Sequence, residues 1–118
     1  MIESRALADR IAQVLDAKGA DDIQILEVGH MTSITDFFVV CSGRNIQFVS
    51  TLADDLEDNL AEEGILPRRK EGKNGAKWIV LDYAHVIVHI FHPDERQYYN
   101  IERLWQDGGN QTGFSSGD

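Results

Sequence analysis

Phe37–Ser42 reads FFVVCS, the most apolar strand-length run in the chain and one without a polar face. A strand with one face in water alternates apolar and polar side chains. A run that does not alternate belongs at the centre of a sheet, with a layer packed on each side. The remainder of the sequence must therefore supply neighbouring strands and enough amphipathic material to cover two faces.

Residues 4–18 carry Leu7, Ile11, Val14 and Leu15 at helical spacing, with Ser4 as the expected cap and Gly19 as the stop. Ile23–Val28 reads as a strand with Ile23 and Ile25 on one face and Leu26 and Val28 on the other. After the Ser42-Gly43-Arg44-Asn45 turn, with Asn45 as cap, a helix to about Glu63 bears Ile46, Val49, Ala53, Leu56 and Leu60 as one stripe. Its other face holds Asp54, Asp55, Glu57, Asp58, Glu62 and Glu63, with no Lys or Arg on the helix to pair with them. Gly64 closes it. Arg68, Arg69, Lys70, Lys73 and Lys77, five of the eleven basic residues, follow in a segment that can add a short edge strand.

Lys77–Trp105 then gives two strands, Trp78–Leu81 and Val86–Phe91, four residues apart as an antiparallel hairpin allows. Pro93 fits a first helical position, with Asp94 and Glu95 at the favourable end of the helix dipole. The order is helix, strand, strand, helix, strand, strand, short helix. It predicts a single-domain α/β sandwich over residues 1–105, with a mixed sheet of four to five strands flanked by helices. Residues 106–118, QDGGNQTGFSSGD, read as a disordered polar tail.

At 118 residues one domain can bury a core without staples. The net charge of −9 argues against DNA, bare RNA or an anionic membrane as partner and favours a basic partner, or simply serves solubility. No apolar run reaches membrane length and no secretory layout opens the chain, so the cytoplasm is expected. The single cysteine, Cys41, lies among apolar strand residues and reads as core.

Three of the four histidines crowd the second hairpin strand. Strand periodicity sets His89 and His92 on opposite faces, so no metal is expected, and packed or capping histidines are the better reading. The sharper feature is Trp78 with Tyr83 around one hairpin. Aromatics beside polar groups make interface anchors, yet Trp78 under a flanking helix is equally compatible with the pattern.

Several stretches in order resemble the ribosomal silencing factor (RsfS, or Iojap) family. They are Ser33-Ile34-Thr35-Asp36-Phe37-Phe38, Ser42-Gly43, Glu71-Gly72, Trp78-Ile79-Val80-Leu81-Asp82-Tyr83, Val86 … Val88-His89-Ile90-Phe91, and the ending Glu95-Arg96 … Tyr98-Tyr99-Asn100 … Glu102 … Leu104-Trp105. The resemblance implies a nucleotidyltransferase-like topology without catalysis. It implies a protein that docks on the large ribosomal subunit through large-subunit ribosomal protein fourteen, blocks joining of the small subunit and represses translation under nutrient limitation. It also implies homodimers, and no cofactor. The contact surface carried over is Trp78, Ile79, Val80, Asp82 and Tyr83, with Thr35 and Asp36.

The competing class is a nucleotidyltransferase acting on a nucleotide with Mg. Two-metal chemistry needs clustered strand carboxylates. Here Asp55 and Glu57 lie two residues apart on a helix and diverge, and Asp82 stands nearly alone near the corresponding strands.

Overall fold

The computed structural model describes residues 3–73 and 75–105, so the expected tail at 106–118 lies outside the described residues. The elements run α1 (Ser4–Ala17), β1 (Asp21–Glu27), β2 (Phe37–Ser42), α2 (Ile46–Glu62), β3 (Arg69–Lys73), β4 (Trp78–Asp82), β5 (Val86–Phe91), α3 (Pro93–Tyr99) and α4 (Ile101–Leu104). The five strands form one sheet in the order β1-β2-β5-β4-β3. Only β2 and β5 run parallel; the other three pairings are antiparallel. The sheet is mixed, as expected, and β2 lies inside it with all six residues buried.

Strand alternation divides the interior in two. Ile23, Ile25, Phe37, Val39, Cys41, Ile79, Leu81, Val88 and Ile90 meet the apolar stripes of α1 and α2. On the opposite face Leu26, Val28, Phe38, Val40 and Phe91 pack with Ile101, and Trp78, Ile87 and Trp105 border that cluster. Two long helices therefore cover one face over β1, β2, β4 and β5. The short α3–α4 segment covers the other only in part.

The chain changes direction where local chemistry asks it to. The Asn45 side chain accepts from the Phe48 N–H at 2.8 Å and starts α2. His92 caps α3 through Nδ1, which accepts from the Asp94 N–H at 3.2 Å, and Pro93 takes the first turn. The expected Ser4 cap is not formed. Ser4 is already helical, and extended Glu3 precedes it with no side-chain cap bond. The acidic face of α2 also differs from its sequence reading, because its partners come from elsewhere in the fold. Lys70 on β3 reaches Glu57 at 2.6 Å and Asp54 at 2.9 Å, and Arg10 on α1 reaches Glu63 at 2.6 Å.

Arg96 ties α3 to the sheet. Its guanidinium is buried, donates to Ser42 Oγ at 2.9 Å, pairs with Glu102 of α4 and lies 3.4 Å from Asp22. A buried charge is tolerable only when paired in this way.

Candidate docking groove

The incomplete cover over β3, β4 and β5 leaves a groove of about 370 Å³ on the α3–α4 side of the sheet. Its floor follows from the two-residue period. Trp78, Val80 and Asp82 of β4 lie beside Ile87 and His89 of β5 and Phe38 of β2. Arg69, Glu71 and Lys73 of β3 form one wall, and Thr32, Ile34, Thr35 and Trp105 contribute the remainder. Lys70, between Arg69 and Glu71, turns instead toward α2.

Trp78 is half-buried, so the two sequence readings of it merge. Its indole stacks on Phe91 at 4.9 Å, touches Tyr99 at 4.9 Å and carries the Lys73 ammonium 5.0 Å above it. Its Nε1–H donates to His89 Nδ1 at 3.1 Å. His89 is buried, and that burial, with Lys73 nearby, pushes its pKa down to about 3. It is a neutral acceptor at any physiological pH.

Asp82 is committed to the hairpin. One carboxylate oxygen accepts from the Ala84 N–H at 2.8 Å and the other pairs with Arg68 at 3.1 Å. That first bond supports a tight turn in which the His85 N–H reaches the Tyr83 carbonyl at 2.9 Å and Ala84 adopts φ 73°. Thr35 is buried at the rim, its hydroxyl 3.4 Å from the Phe37 carbonyl.

The structure thus brings Trp78, Val80, Asp82 and Thr35 together. Ile79 and Tyr83 do not join them. Both alternate onto the helix-covered face, where they are buried in the core, and the Tyr83 hydroxyl has no hydrogen-bond partner among the described residues. Burial raises the Tyr83 pKa accordingly. Asp36 borders a separate cleft with Arg5, Glu27 and His30, and lies 3.4 Å from His85 Nδ1. Sequence reasoning passed over Phe38, Ile87 and His89 as groove residues. The hairpin register, which sets His89 opposite Val80, is the signal that finds His89.

Among the described residues no group of three or more His, Cys, Asp or Glu side chains could hold a metal ion. No helix among them is long and apolar enough to cross a membrane. Burial pushes the Cys41 thiol up to about 12, consistent with an unreactive core cysteine.

Residues 1–116 match the family described as ribosomal silencing factor during starvation, RsfS. The chain belongs to this family. It is 38% identical over 96 residues to ribosomal silencing factor RsfS of Bacillus subtilis, covering 81% of each chain. Against the chloroplastic protein Iojap of Arabidopsis thaliana it is 30% identical over 109 residues, 87% of this chain and 43% of that one. A crystal structure of a Chromobacterium violaceum protein superposes with a TM-score of 0.84 at 29% identity, over 98% of this chain and 95% of that chain. The mixed five-stranded α/β architecture is therefore that of the RsfS family, and a ribosomal silencing factor is not a class of enzyme.

Proposed function

We propose that this protein silences ribosomes by docking its groove on the large subunit, through large-subunit ribosomal protein fourteen, and excluding the small subunit by its volume. The observation that carries this reading is the half-covered sheet face. A folded domain that leaves Trp78, Ile34, Ile87 and Trp105 around an open groove keeps a desolvation reserve for a partner. The net charge of −9 supports a basic protein partner over bare RNA. Action in the cytoplasm and a two-fold homodimer belong to the same proposal. A catalytic reading is less well supported, because both oxygens of Asp82 are engaged by the Ala84 N–H and Arg68.

Sedimentation with purified subunits tests it. The protein is expected to pellet with large subunits and not with small ones, and to lower the yield of joined ribosomes. Trp78→Ala should weaken that binding by roughly 2–4 kcal/mol, about thirty- to a thousandfold, while leaving a folded protein. Equal binding to both subunits, or a folded Trp78→Ala that blocks joining at the wild-type concentration, contradicts the reading.

A further inference from the structure

Beneath the groove, the environment of His89 is unusual for a core position. It is 8% exposed, lies edge-on to Phe38 at 4.9 Å and parallel to Phe91 at 6.2 Å. Its Nδ1 receives the Trp78 indole N–H at 3.1 Å. An indole nitrogen only donates, so Nδ1 carries no proton and the neutral ring holds its proton on Nε2. That Nε2–H is buried and has no hydrogen-bond partner among the described residues. An unpaired buried donor costs stability, and an aliphatic or phenyl side chain in this apolar nest would avoid the cost. Against that cost the histidine accepts the Trp78 indole N–H, which an aliphatic or phenyl side chain would leave without this acceptor.

What the histidine supplies is direction. The other neighbours of Trp78, namely Phe91, Tyr99 and the Lys73 ammonium, meet the flat faces of its ring or stack beside it. Such contacts hold a ring in a plane but discriminate poorly between its orientations. The bond to His89 Nδ1 selects one, with the indole N–H turned toward the buried His89.

We infer that His89 is a positioning residue of the docking groove: from the groove floor it fixes the Trp78 indole in the orientation that a partner meets. This rests on the groove being the ribosome-contacting surface, and the test keeps the two apart.

The test follows the Trp78 indole N–H in the ¹⁵N-labelled protein by NMR, the resonance being identified by its loss in Trp78→Ala. Binding to purified large subunits is measured on the same preparations. His89→Leu should shift the indole resonance upfield, speed its exchange with water, and weaken binding about tenfold, the effect of removing one buried acceptor. His89→Asn, whose side-chain oxygen can replace Nδ1, should recover most of both effects. His89→Phe fills the planar volume without an acceptor and should behave as the leucine does, so a packing failure in one variant cannot hide the answer. An indole resonance unmoved in both acceptor-less variants overturns the hold of His89 on Trp78. A shifted resonance with unchanged affinity overturns its role in docking. Wild-type affinity in Trp78→Ala overturns the groove reading itself, and that result is independent of the resonance.

Discussion

Protonating His89 would place a charge inside a nest of Phe38, Trp78 and Phe91 and would remove the lone pair that holds the indole N–H. Desolvation is the main cause of its lowered pKa, and Lys73 adds repulsion. The unfolded chain has no such barrier and takes the proton near pH 6.5. Between about pH 6.5 and about 3 the unfolded state therefore binds a proton that the folded state does not. Stability falls as pH drops through that window, by up to about 1.4 kcal/mol per unit, and is unaffected by this group above it. Carboxylates titrate in the same range, so the informative quantity is a difference. Urea unfolding at pH 7 and pH 5 should show a loss larger in the wild type than in His89→Asn, by roughly 2 kcal/mol. Equal losses in the two proteins would mean that His89 is not held neutral.

The β2–α2 junction shows how an element boundary is set by space rather than by backbone freedom. A Cβ built on Gly43 would lie 3.0 Å from the Val49 nitrogen and 3.2 Å from its Cα. Those are backbone atoms of the first turns of α2, which cannot move unless the helix does. Gly43→Ala should cost about 1–3 kcal/mol, lowering the thermal midpoint by several degrees in circular dichroism. A midpoint unchanged within a degree would show that α2 has room to shift. The Ser42-Gly43 pair was legible in the sequence as a turn, but its reasons were not. Ser42 accepts from Arg96, fifty-four residues away, and Gly43 makes room for a helix backbone. The same division runs through the chain. The two long helices, the Pro93 start of α3, the two faces of β1, the Asn45 cap and the buried β2 follow from local pattern and were readable, whereas the separate α4 was not. The parallel β2–β5 pairing, the salt bridges from Lys70 to α2 and the burial of Arg96 depend on residues distant in sequence, which periodicity does not encode. At the candidate site, alternation along β4 separates Trp78, Val80 and Asp82 from Ile79 and Tyr83. The resemblance to a family carried the stretch over as one block.

For the whole molecule, charge decides which surfaces can meet a second copy. A two-fold dimer joined at a sheet edge must pair like with like. At one edge that sets β3 against β3, with Arg69, Lys70 and Lys73 exposed along it. At the other it sets β1 against β1, with Asp21, Asp22 and Glu27 exposed. Like charges across a strand pair are destabilising, and such residues are the usual means of keeping edges apart. Joining β1 of one copy to β3 of the next would match the charges, but it is a head-to-tail contact that need not close. A closed dimer must therefore use a face, and the exposed apolar residues available there include Ile34 at 67%, Tyr98 at 79% and Leu104 at 72%. Two chains of charge −9 repel each other, so association should strengthen with salt as screening shortens the reach of that repulsion. Light scattering at tens of micromolar should thus give a mass above 13.3 kDa that rises between low salt and about 0.5 M. Ile34→Glu combined with Tyr98→Glu should return the mass to that of one chain, whereas Glu71→Lys on the β3 edge should not. Because Ile34 also lines the groove, large subunits should dissociate the dimer rather than bind it intact. A single-chain mass at every salt concentration removes the dimer, and dissociation by Glu71→Lys instead of the face variant moves the interface to the edge.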